Sequence, residues 1–144
     1  MRRSRTLIVA ALVVLSAVGC GNEEKEDVLL RIDVDTAGPS IVTNLLVTED
    51  GRGRCDRTDL EPFDEALMRN AREFERRIEA LPGTDIVFEG PPNQTIYRAQ
   101  GRDGRMTWAA GIRDAPSALR GATRLAEDLL DELCGGGDYG GGAD

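Results

Sequence analysis

The sequence predicts an α+β domain: an antiparallel sheet with two amphipathic helices on one face, in the order β-β-α-β-β-β-α. Three observations carry this. Short runs of period-two hydrophobicity recur along the chain, two longer segments repeat apolar residues every three or four positions, and turn residues separate them. The 144 residues suffice for one domain.

Val28, Leu30, Ile32 and Val34 alternate with polar residues in VLLRIDV, the signature of a strand with one buried face. AGPS interrupts the chain, and Ile41–Val47 resumes as a second strand. EDGRG supplies a turn. A helix is expected next, with Thr58 and Glu61 at capping-box spacing and Pro62 in its first turn. Leu60, Phe63, Leu67, Ala71, Phe74, Ile78 and Leu81 form its apolar stripe, and Glu65–Arg69 and Glu73–Arg77 are favourable i,i+4 pairs. Three strands follow, near Ile86–Phe88, Thr95–Ala99 and Met106–Ile112, the last two joined by GRDG. Trp108 shares its face with Met106, Ala110 and Ile112 and reads as core. The second helix is expected to be capped by Asp114, with Pro116 just inside. Leu119, Ala122, Leu125, Ala126, Leu129 and Leu133 form its apolar side. Residues 135–144 read as a glycine-rich tail.

The 18 basic and 26 acidic side chains give a net charge of −8, an argument against nucleic-acid binding, which needs a basic face. The sequence has no histidine, which removes the commonest general base and metal ligand. DVDTAG spaces Asp33, Asp35 and Gly38 like the start of a calcium loop, but Ala37 and Asn44 stand where further oxygen ligands are required. Ser40 and Ser117 have no histidine partner. No catalytic, cofactor or metal residue is assigned. GRGRCDR places Arg52, Arg54 and Arg57 on a loop of an acidic protein, and these are the candidate partner contacts, against the plainer reading of a solvated loop.

The N-terminus carries Arg2, Arg3 and Arg5, then an apolar stretch from Leu7 to Val18 that is short of the roughly 20 residues a bilayer span needs. It ends in AVGC, residues 17–20, which resembles the lipobox of bacterial lipoproteins. The resemblance implies diacylglycerol transfer to the sulfur of Cys20, removal of residues 1–19 as a signal peptide, and a lipid anchor in the cell membrane on its extracytoplasmic face. An ordinary cleaved signal and an uncleaved anchor are the alternatives. Loss of three arginines from a charge of −8 would leave the mature chain at −11. Residues 20–27 then form a polar tether, and 28–134 the domain.

Cys55 and Cys134 remain. In an exported chain without histidine or CxxC spacing they are expected to pair as a disulfide, with two free buried thiols as the alternative.

Over Val28–Leu133, a first strand running into TAGPSI, a long helix, the TIYRAQGRDGRMTW hairpin and a leucine-rich closing helix are similar to emfourin-type inhibitors of thermolysin-like metalloproteases. The likeness is one of pattern and length, and no inhibitory residue is carried over. The leading expectation is a lipid-anchored, non-catalytic domain that binds a protein partner at the cell surface. An inhibitor of a secreted metalloprotease and a small-molecule-binding lipoprotein are the alternatives.

Overall fold

The computed structural model of the protein describes residues 27–38, 41–81 and 83–135. Cys20, the signal segment and most of the polar tether lie outside the described residues. Seven strands form one sheet in the order β4-β3-β2-β1-β6-β7-β5. In chain order they are β1 (Val28–Asp35), β2 (Val42–Thr48), β3 (Arg52–Cys55), β4 (Glu61–Pro62), β5 (Asp85–Phe88), β6 (Ile96–Gln100) and β7 (Arg105–Ala109). Helix α1 (Glu65–Glu79) lies between β4 and β5, and α2 (Ala122–Leu133) closes the chain. The architecture is the α+β arrangement expected, with two more strands.

β1 sits at the centre, antiparallel to β2 on one side and β6 on the other. Its alternation places Leu30, Ile32 and Val34 under the helices, each at most 2% exposed. Leu45 and Val47 on β2, Tyr97 and Ala99 on β6, and Met106 and Trp108 on β7 continue that face. α1 adds Leu67, Ala71, Phe74 and Ile78, and α2 adds Ala122, Leu125, Ala126 and Leu129. Trp108 is where they meet. Phe74 packs edge-on to it at 5.7 Å, Tyr97 stacks on it at 5.2 Å, and its Nε1 donates to Thr123 Oγ1 at 3.1 Å. The buried indole thus has its one polar group satisfied.

Four local expectations are corrected. α1 does not begin in the Thr58–Glu61 box. Asp64 caps it, its Oδ1 accepting from Leu67 N at 2.9 Å, while Thr58 Oγ1 donates to Cys55 O at 2.9 Å and closes a turn. Proline disfavours helical backbone at the residue before it, so Glu61–Pro62 extends instead and pairs with β3. The segment containing Arg52 and Arg54 is strand β3 and not a loop. Asp114 does not cap the second helix: Ser117–Leu119 form a single 3₁₀ turn, and α2 starts after Gly121, whose φ of +72° breaks the run. Finally, β5 joins the sheet parallel to β7, so the sheet is mixed at that edge.

Cys55 and Cys134 form a disulfide, tying β3 to the C-terminal end of α2. Gly53 makes that approach possible, since a Cβ there would stand 2.9 Å from both Leu133 methyl carbons. The bond closes a loop between residues 79 apart in sequence. Chain-entropy reasoning assigns such a loop roughly 4–5 kcal/mol. Replacing both residues, Cys55→Ser with Cys134→Ser, should therefore lower the unfolding free energy by about that amount in denaturant titration. A loss under about 1 kcal/mol would show that the unfolded chain is scarcely constrained by the bond.

Tyr97 yields a second prediction. Burial, and then the Glu127 carboxylate beside it, raise its phenol to about 12 from an ordinary value of 10.0. The unfolded chain therefore releases this proton first. The stabilisation is complete below pH 10 and is lost as pH rises towards about 12. Tyr97→Phe should remove the late phenolate absorbance step and flatten the fall in stability above pH 10. An unchanged alkaline titration curve in that variant would contradict the assignment.

Candidate functional site

Both helices cover one face of the sheet, so among the described residues the other face is bare, and strand alternation decides what it displays. The register aligns Arg54, Leu46, Arg31, Gln100 and Arg105 in one row across β3, β2, β1, β6 and β7. A second row runs Asn44, Asp33, Arg98, Thr107 and Val87. A third begins with Val42, Asp35 and Ile96.

The first row holds the densest group of cations on this face. Leu46 lies between Arg31 and Arg54 in register and is only 6% exposed although no helix covers it. Arginine stems beside such a residue shield it while their guanidinium heads stay in water. Arg31 and Arg54 stand two strands apart, roughly 10 Å between backbones. Arg57 joins them in a shallow depression that also includes Asp33, Asn44 and Asp56.

Asp56 positions Arg57. It adopts a left-handed backbone with φ of +49°, which aspartate tolerates better than most residues. Its Oδ1 accepts from Asn44 N at 2.9 Å and from Asn44 Nδ2 at 3.3 Å, and its own N–H donates to Asn44 O at 2.7 Å. The turn after β3 is thereby latched to β2, and Arg57 follows directly.

Further ion pairs stand on or beside this face. Arg98 reaches Asp35 Oδ2 at 3.4 Å. Arg52 pairs with Asp50 at 2.7 Å, and a hydrogen bond from Thr48, reinforced by Arg52, holds the Asp50 carboxyl below its usual range. Of the three arginines expected as partner contacts, the structure groups Arg54 and Arg57 in the depression and leaves Arg52 outside it, paired with Asp50. Arg31 completes the group and was not among those expected. Its signal lay in VLLRIDV, where the residues alternating with the buried set are the ones a bare face displays. Asp33 and Asp35, spaced like calcium ligands in sequence, point to this face as strand residues, with Asp35 committed to Arg98.

No family model, curated protein or solved structure matches the chain. The geometry itself is the ground for assigning a function. Among the described residues no group of three His, Cys, Asp or Glu is placed to hold a metal, and no helix is long and apolar enough to cross a membrane. Glu75, the carboxylate buried most deeply among the described residues, lies on α1 against Gly101. Burial and neighbouring Glu79 raise its pKa, opposed by Arg102. It belongs to the packing of α1. The bare face presents guanidinium forks, an amide and carboxylates around a shielded leucine. Such a set recognises a surface through charge-assisted hydrogen bonds.

Proposed function

We propose that this chain is a lipid-anchored, extracytoplasmic and non-catalytic domain that binds a protein partner through the bare face of its sheet. The observation that carries the reading is the grouping of Arg31, Arg54 and Arg57 around Leu46 in a chain of net charge −8. Arginine is favoured at interface centres because its planar fork bonds carboxylates and carbonyls while its stem packs on apolar surface. The partner surface that fits is acidic and broadly flat. The Cys55–Cys134 disulfide supports an oxidising compartment, where such bonds form and persist. The AVGC sequence supports attachment through Cys20.

Cross-linking the acylated chain in its own membrane and identifying its bound protein tests the face. Arg31→Glu combined with Arg57→Glu should reduce capture of a stoichiometric partner at least tenfold, since each charge-assisted hydrogen bond lost is worth roughly 1.5–3 kcal/mol. Undiminished capture by this variant would remove the face from the argument. A metalloprotease in that band would narrow the reading to inhibition. For the anchor, Cys20→Ala should move the protein from the detergent-rich to the aqueous phase on phase separation and abolish its labelling by radioactive palmitate. Labelling that survives the substitution would overturn the lipoprotein assignment.

A further inference from the structure

The two edges of the sheet are unequally protected. At one side β4 contributes only two residues, and its Pro62 has no N–H to offer. At the other side lies β5, four residues long, whose one neighbour in the sheet among the described residues is β7. Thr84 O accepts from Arg105 N at 2.9 Å. Backbone groups alternate in direction along a strand, so Thr84, Ile86 and Phe88 turn theirs towards β7. Asp85 and Val87 turn theirs away from the sheet.

Beyond Asp85, the side chains along this edge are apolar on both faces. Val87 is 61% exposed on the bare face, and Ile86 and Phe88 are half-buried on the helix side. Edge strands are commonly blunted by lysine, proline or a bulge. β5 has none of these: it reads DIVF and pairs with β7 in unbroken register. Its ends are acidic, with Asp85 opening the strand and Glu89 following it, while Arg105 sits on the interior side across from Asp85.

The geometry points to β5 as the docking edge for an extended segment of a partner protein, apolar in its centre and flanked by basic residues, which adds as a further strand. This rests on the protein-binding reading above but concerns a different surface. Charge selects the occupant. A second copy would bring one acidic chain, −11 once residues 1–19 are removed, against another, and an antiparallel pair centred on Val87 would set Asp85 against Glu89. A basic-flanked segment turns both ends into attractions. Asp85 and Val87 supply the backbone hydrogen bonds, and the added strand's alternating side chains meet Val87 on one face and Ile86 and Phe88 on the other.

The test uses the full mature chain in detergent and a synthetic peptide, Arg-Thr-Val-Thr-Val-Thr-Arg, with a glutamate-flanked counterpart. Amide hydrogen exchange and calorimetry are read together. The basic peptide should slow exchange of the Asp85 and Val87 amides at least tenfold, leave the Ile86 amide unchanged, and bind at least tenfold more tightly than the acidic one. Val87→Pro should abolish binding while leaving the melting temperature within a few degrees, because that N–H lies outside the ladder. If this variant does not fold, methylating the peptide's own backbone nitrogens should abolish binding to the unaltered chain. The inference is overturned if saturating peptide leaves both amides unprotected, if they are already protected in the free chain, or if the methylated peptide still binds. The Arg31→Glu, Arg57→Glu variant should bind the peptide unchanged. Failure of the unaltered chain to bind the peptide while it still captures its partner sinks the edge alone, whereas peptide binding together with undiminished partner capture by the Arg31→Glu, Arg57→Glu variant sinks the face alone.

Discussion

The ring of Trp108 is the contact on which the two layers depend. It lies on β7, near one side of the sheet, yet it touches α1 through Phe74, α2 through Thr123 and β6 through Tyr97. Aromatic side chains bury more surface than any others, and a stacked and an edge-on partner let one indole fix two directions at once. This chain contains one tryptophan and three phenylalanines, so few residues share that task. The bond from Nε1 to Thr123 also sets where the first turn of α2 rests. Thr123 follows Gly121 by two residues, so the break before α2 and the position of the indole belong to one local solution.

On the far side of the sheet a different device takes over. β3 is held to α2 by Gly53 under Leu133 and by the disulfide from Cys55 to Cys134, the residue next to Leu133. A glycine and two cysteines bring the layers close where a packed core could not extend. The helices are thus anchored at both ends of the same face. Among the described residues no helix covers the opposite face, and its own side chains meet the solvent there. Ion pairs such as Arg98–Asp35 lie among them; at surface exposure they add little stability.

Much of this was legible in the residues, and the failures have physical causes. The alternation in β1 and the stripe from Leu67 to Ile78 are strong because burial on one face imposes a period, and the same alternation identifies Arg31 and Asp33 as outward-facing. RGRC has no such pattern: glycine and charged residues favour no strand, and β3 forms because β2 and β4 pair with it on either side and α2 packs on its face. The start of α1 was misplaced because Thr58–Glu61 and Asp64–Leu67 offer competing caps, and the conformational demand of Pro62 decides between them. The pairing of β5 with β7 was invisible, since parallel neighbours depend on the path of the intervening chain and leave no mark on four residues. The depression was half legible for a related reason. Arg54 and Arg57 are neighbours in sequence, whereas Arg31 reaches them only through the register of two strands.

The connectivity also has a consequence for the order of assembly. A chain that emerges amino end first, from a ribosome or a translocation channel, presents the central strand at once. β1 can pair with β2 immediately, but its other neighbour begins at Ile96, sixty-one positions beyond Asp35 in the ladder that joins them. Cys55 meanwhile waits with a reactive thiol until Cys134, one of the last residues described, comes within reach. Completion of this sheet therefore waits for β6 and β7, and the meander of β1 to β4 keeps one edge open until they arrive. Whatever attends the chain in that interval must shield the unpaired edge of β1 and prevent a lone sulfur from finding the wrong mate.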